Sequence, residues 1–140
     1  MSRLDSVIRL HRWKLDELRR KLADLDALRV RFTDQRLRLD EEVASESALA
    51  ATSEEARATL APYLDSARGR RDRIDASIVE VGREIELTRA AVEDAFREVK
   101  SYEVARAEQE RRAAVVRQRR EQYRMDEIAL AMRRRGAPAA

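Results

Sequence analysis

The sequence predicts an all-α fold, a long antiparallel two-helix coiled-coil hairpin, from three features. Residues 74–102 (IDASIVEVGREIELTRAAVEDAFREVKSY) carry Ile74, Ile78, Val81, Ile85, Thr88, Val92, Ala95, Val99 and Tyr102 at alternating steps of four and three, a heptad seam. The side chains between them are charged or small, so such a helix buries one narrow stripe and exposes the rest. Composition points the same way: 41 % of residues are charged, 4 % are aromatic, and there are only 3 glycines and 2 prolines. That is too little aromatic bulk and too few turns for a globular core, but it fits long helices. The third feature is a second ladder in the first fifty residues, which supplies a partner stripe in cis.

That first ladder runs through Leu4, Ile8, His11, Leu15, Leu18, Leu22, Leu25, Arg29, Phe32, Arg36, Leu39, Val43, Glu46 and Ala50. Ser2 is placed to cap it, with Asp5 three residues on. No proline or glycine interrupts residues 1–61, and the spacing predicts helix 1 over about 3–50. A helix of about 50 residues is roughly 75 Å long and is not stable alone on one stripe. The pattern then loosens. Residues 46–69 read as a turn region with a possible short helix, the reversal falling within 46–62. Thr52 or Ser53 suits an N-cap before Glu54 and Glu55, Pro62 suits the first turn of a new helix, and Gly69 can relax a bend. Helix 2 is predicted over about 62–134. Its ladder traces back through Leu60, Leu64, Ala67 and Arg71. Beyond Tyr102 it is interrupted by Arg106, Gln109, Arg120 and Glu127, and it resumes at Ala113, Val116, Tyr123 and Leu130. Residues 136–140 (GAPAA) read as a frayed tail. The whole, 1–140, is read as one domain.

Several function classes find no support. There is no cysteine, hence no disulfide or thiolate chemistry. No run of 18 apolar residues exists to span a membrane, and the charged start lacks the apolar core of a secretory signal. The expected location is cytoplasmic. His11 is the only histidine and sits on the seam, where a core or boundary role fits better than ligand or base. Neither GxxxxGK nor GxGxxG occurs, and the adjacent pairs Glu41–Glu42 and Glu54–Glu55 point to different faces of a helix. No catalytic, metal-binding or cofactor-binding residue is therefore assigned, no cofactor or small-molecule substrate is expected, and the chain reads as a non-enzyme. Trp13 lies off the seam, either as a partner contact or as a flank of the hairpin.

Charge is uneven. Residues 100–140 hold 11 basic and 6 acidic side chains, the surplus behind the net charge of +3. Arg111, Arg112, Arg117, Arg119, Arg120, Arg124 and Arg133 to Arg135 fit either a solvated face or an electrostatic dock for an acidic protein partner. Nucleic acid is the least favoured partner, since the arginines surround the helix and no aromatic platform accompanies them.

Three segments carry a family resemblance. Residues 120–135 (REQYRMDEIALAMRRR) contain Met125-Asp126-Glu127 before an apolar and basic helical end. Residues 92–103 (VEDAFREVKSYE) place Lys100 just ahead of Tyr102 and Glu103, and residues 10–28 (LHRWKLDELRRKLADLDAL) put Lys14 and Glu17 on a leucine seam. Together with the length, this resembles the FliJ family, the soluble coiled-coil component of the bacterial flagellar type III export apparatus. More distantly it is similar to the stalk proteins of virulence-type secretion. The resemblance implies a hairpin like the coiled coil of the rotary ATPase gamma subunit. It also implies three partners: the ring of the export ATPase, the export gate membrane protein and export chaperones. On this chain the ATPase-facing contact would comprise Leu4, Ile8, Trp13, Arg117, Arg119, Arg124, Met125, Asp126 and Glu127. A second-helix contact would comprise Lys100, Tyr102 and Glu103. The acidic, alanine-rich middle, with Tyr63 its only aromatic, departs from the family pattern, so no gate-contact residue is assigned. The location implied is cytoplasmic with peripheral association at the membrane-bound export apparatus. A generic coiled-coil scaffold and a nucleic-acid-associated helical protein remain alternative readings, and the hairpin is expected as a monomer or a dimer.

Overall fold

A computed structural model describes residues 3–136. Among them there are two helices, α1 (Arg3–Thr52) and α2 (Glu54–Gly136), and no strand. The chain is an all-α coiled-coil hairpin. The expected cap at Ser2 and residues 137–140 of the expected tail lie outside the described residues, while Gly136 is the last residue of α2.

Helical packing divides the chain into two compact units, Trp13–Phe96 and a second one made of residues up to Arg12 with those from Arg97 onward. In the first unit the two helices run antiparallel. Lys21 pairs with Glu84 at 4.0 Å, Arg36 with Asp75 at 2.9 Å, and Glu42 with Arg70 at 3.3 Å, so positions rise along α1 as they fall along α2. The seam between them holds Leu15, Leu39, Ala50, Ala67, Val81 and Ile85, with Ile85 fully enclosed. Burying a side chain of that size contributes about 1.5–3 kcal/mol. Thr88 is buried in the same seam. Arg36, an interruption of the ladder, is half-buried and shared between Asp75 and Asp40. Burial, the largest single influence, pulls its pKa down, but the hydrogen bonds to Asp75 and Asp40 outweigh it and the guanidinium is held above its ordinary value.

In the second unit Ile8 and Val99 form the buried centre. Arg106 pairs with Asp5 at 3.2 Å and Arg12 with Glu103 at 2.8 Å, again antiparallel. Every member of the first ladder except Glu46 is buried or half-buried, and the second ladder is covered from Leu60 to Arg106. The heptad arithmetic therefore describes the packing residue by residue.

The chain reverses at Ser53. Its N–H donates to the Leu49 carbonyl at 3.1 Å, closing α1, and its hydroxyl accepts from the Ala56 N–H at 3.4 Å, opening α2. Arg57 Nε donates to the Ala50 carbonyl at 3.2 Å, satisfying one acceptor that the end of α1 leaves open. Glu54 and Glu55 occupy the first turn of α2, where the helix dipole favours negative charge. The sequence reading placed the start of helix 2 near Pro62, but α2 begins eight residues earlier and Pro62 lies inside it. A serine cap followed by two carboxylates starts a helix better than proline alone. Proline in the third turn costs only the bond to the Ala58 carbonyl and some local strain.

Candidate partner-binding surface

Two groups of predicted residues belong to the unit containing the helix ends, and they behave differently. Lys100, Tyr102 and Glu103 are engaged within the chain. Glu103 accepts from Arg12 at 2.8 Å and from Lys100 at 3.3 Å. Its carboxyl is held below the ordinary carboxylate value, chiefly by the Arg12 hydrogen bond, against an opposing push from burial. Tyr102 stacks on His11 with ring centroids 4.8 Å apart, and His11 Nδ1 lies 3.5 Å from Glu98. His11 is thus a boundary histidine of the seam. Ile8 is 1 % exposed and packs in the same seam, so its side chain offers no surface to a partner in this state. Leu4 lines a shallow recess with Arg3, Val7, Ala105 and Gln109. Trp13, in the other unit, is 58 % exposed.

The second group is bare. From Gln109 to Gly136 every residue of α2 except Val115 is exposed. Only the first turns of α1 reach the start of this stretch, Leu4 beside Gln109 and Asp5 beside Gln109, Glu110, Ala113 and Arg117, because a ladder that begins at Leu4 is used up by Arg106. Glu108 braces the start of this stretch, accepting from Arg111 at 2.7 and 3.0 Å and from Arg112 at 3.2 Å. The Arg111 hydrogen bond lowers its pKa more than burial raises it. Beyond it Arg117, Arg119, Arg124, Met125, Asp126 and Glu127 all face solvent, Asp126 accepting only from Gln122 at 3.4 Å.

Two patterns emerge on the bare stretch. Arg117, Arg120 and Arg124, at steps of three and four, converge with Glu121 around an open recess of about 430 Å³. Arg120 was read as an interruption of the ladder and as one of the basic run, but not among the ATPase-facing residues; its spacing from Arg117 and Arg124 is the signal that places it with them. Met125, Ile128 and Met132 recur at i, i+3 and i+7 and are 58 %, 46 % and 69 % exposed. Val116, Tyr123 and Leu130 form a separate heptad-spaced row and are likewise exposed. A single helix with uncovered apolar rows is the pattern by which helices enter the groove of another protein. The arrangement supplies no nucleophile and no paired acid and base. Among the described residues no cluster of histidine, aspartate or glutamate could hold a metal ion, and no helix is long and apolar enough to cross a membrane.

Fold and surface together define a class of protein, a coiled-coil hairpin with a bare, basic and apolar helix end. Comparison with known families gives that class its name. The family described as Flagellar FliJ protein matches residues 1–137, and the chain belongs to it. It is thereby a component of the flagellar protein export apparatus, from a family of non-enzymatic export components. No curated protein and no solved structure matches the chain.

Proposed function

We propose that the chain binds the ring of the flagellar export ATPase through the bare end of α2 and couples that ring to the export gate and to export chaperones. The observation that carries this reading is the exposure of Gln109 to Gly136 beyond the last residue that α1 can cover. An isolated surface helix that keeps Tyr123, Met125, Ile128, Leu130 and Met132 in water loses burial that a partner would restore. Arginine at Arg117, Arg119 and Arg124 supports an acidic surface on that partner, with attraction that speeds encounter and weakens in salt. Met125, Asp126 and Glu127 belong to the same contact, with Leu4 and Trp13 as outlying members. Lys100, Tyr102 and Glu103 make a second contact on α2, secondary because their side chains already hold His11 and Arg12. The protein is cytoplasmic on this reading and reaches the membrane only through the export apparatus.

Co-purification with the export ATPase, and ATP turnover with and without the protein, test the proposal. Binding that weakens in salt, and weakens further when Arg117, Arg119 and Arg124 are reversed to glutamate, is the expected result. Failure to bind, with turnover unchanged, would leave a coiled-coil scaffold that does not engage the ATPase.

A further inference from the structure

Charge is segregated between two exposed segments. Between Leu39 and Ala56 stand six acids and no base, whereas residues 111–135 hold nine arginines against three acids. Pairing within the chain neutralises neither. Around the turn, Asp40 is taken by Arg36 and Glu42 by Arg70. Glu41, Glu46, Glu54 and Glu55 make no ion pair among the described residues. Along the bare stretch Arg111 and Arg112 share Glu108, and Arg117, Arg119, Arg120 and Arg124 make no ion pair among the described residues.

The two segments are complementary in relief as well. The turn segment exposes small side chains at Ala44, Ala48 and Ala51, with Leu49 53 % exposed among them. The end of α2 exposes large ones, Tyr123, Ile128 and Met132. Bulky knobs seat against a surface of alanines at close range.

Three pairings can be formed between copies of the chain. The end of α2 repels its own copy, and so does the acidic turn; only the turn of one copy against the α2 end of another is attractive. We propose that residues 40–56 of one molecule dock on residues 111–135 of a second molecule. The contact is heterologous, so a molecule that has used its turn still has a free α2 end, and association continues beyond the dimer. A molecule whose α2 end is held in this way cannot offer that end to any other partner. Self-association therefore withholds the docking surface. The contact stands on the charge and relief of this chain alone, independent of whether the export ATPase is the partner.

The test is the mass of the full-length protein as a function of concentration and salt, by sedimentation or light scattering. At about 0.02 M salt, where screening is weak, the average mass is expected to climb above the 16.2 kDa monomer with concentration and to fall back to it at about 0.5 M. Reversing the turn acids (Glu41→Lys, Glu46→Lys, Glu54→Lys, Glu55→Lys) weakens association roughly tenfold or more, and so does reversing Arg117, Arg119 and Arg124 to glutamate. Mixing the two variants restores it, because the acidic turn of one then meets the basic end of the other and the reversed pair matches as well. Circular dichroism confirms that each variant keeps its helices, and glutamine replacements provide a milder second set.

A monomer at every concentration in low salt overturns the proposal. So does a turn-reversed variant that associates as well as the parent, which would place the contact between α2 ends. Association that disappears on nuclease treatment overturns it too, since bound polyanion would then be the bridge.

Discussion

Arg12 Nη2 lies 2.8 Å from Glu103 Oε1 across 91 positions of sequence, an ion pair that holds the first turns of α1 to α2 near the chain's ends. Lys100 reaches the other oxygen of the same carboxylate at 3.3 Å. One glutamate thus serves two cations, one from each helix. Because the Glu103 side chain is only 25 % exposed, the pair is screened less than its neighbours on the open surface.

Glu103 is more acidic folded than its ordinary value of 4.5, so the unfolded chain binds its proton first as the pH falls. Its contribution to stability is complete above that value and is lost as the pH drops through the lower folded value. Glu103→Gln removes the charge at every pH. The parent is therefore expected to melt higher than the variant at neutral pH, and the difference is expected to shrink below about pH 4. Thermal melts of both proteins from neutral to acidic pH check this, and a constant difference would show that the charge on Glu103 contributes nothing.

The turn gives two substitutions of opposite sign. Ser53→Ala removes the oxygen that accepts from Ala56 and is expected to cost about 1 kcal/mol. Pro62→Ala returns an N–H to the carbonyl of Ala58 on an exposed face and is expected to stabilise by about 1–3 kcal/mol. Denaturant unfolding of the two single variants measures both. A neutral Pro62→Ala would mean that α2 starts near residue 62 in solution.

How far the sequence could be read depended on the kind of interaction. Apolar periodicity located the seam almost completely, since a stripe with a 3.5-residue repeat has one way to be buried, and even Arg36 and His11 sit where the ladder put them. The reversal was harder. Ser53, Thr52 and Pro62 all carry boundary signals, and choosing among them depends on bonds such as Arg57 to the Ala50 carbonyl that bridge two helices. For the candidate surface, the arginine surplus was legible and so was its thin cover, because a helix predicted over about 62–134 outlasts one predicted over about 3–50. Ile8 was less legible: an apolar residue near the end of a helix can be a contact or a core residue, and packing against the second helix makes it core. Lys100, Tyr102 and Glu103 were recognisable as a group, but their engagement with His11 and Arg12 required the antiparallel register.

Gly82 lies in the covered part of α2, where the backbone is helical and a methyl group would meet nothing within 4 Å. Gly82→Ala is expected to stabilise the protein by about 0.8–1 kcal/mol through the lower conformational entropy of the unfolded chain. Three residues on, Ile85 is 0 % exposed, and Ile85→Ala is expected to cost about 2–5 kcal/mol. Equilibrium unfolding of the pair separates a backbone effect from a packing effect a turn apart on one helix. Destabilisation by Gly82→Ala would mean that the site is occupied by something in solution, such as a second chain.

The bare stretch of α2 predicts its own dynamics. From Gln109 to Gly136 the helix has backbone hydrogen bonds and short-range pairs such as Glu108 with Arg111, but almost no buried apolar contact. A helix of that length without a packed face is marginal in water, because propagation must offset a costly nucleus with little help from burial. Its amides are therefore expected to exchange with solvent through local opening, about a hundredfold or more faster than those flanking Ile85, which open only with the whole seam. The gradient should begin near Glu108, where α1 ends its coverage. A docking partner that seats Met125, Ile128 and Met132 will slow exchange at these residues first and leave the rates around Ile85 unchanged. Hydrogen exchange read by mass spectrometry, with and without the export ATPase, resolves both halves of the prediction. Protection spread evenly along α2 in the free protein would mean that its end is already covered in solution, by a second copy of the chain.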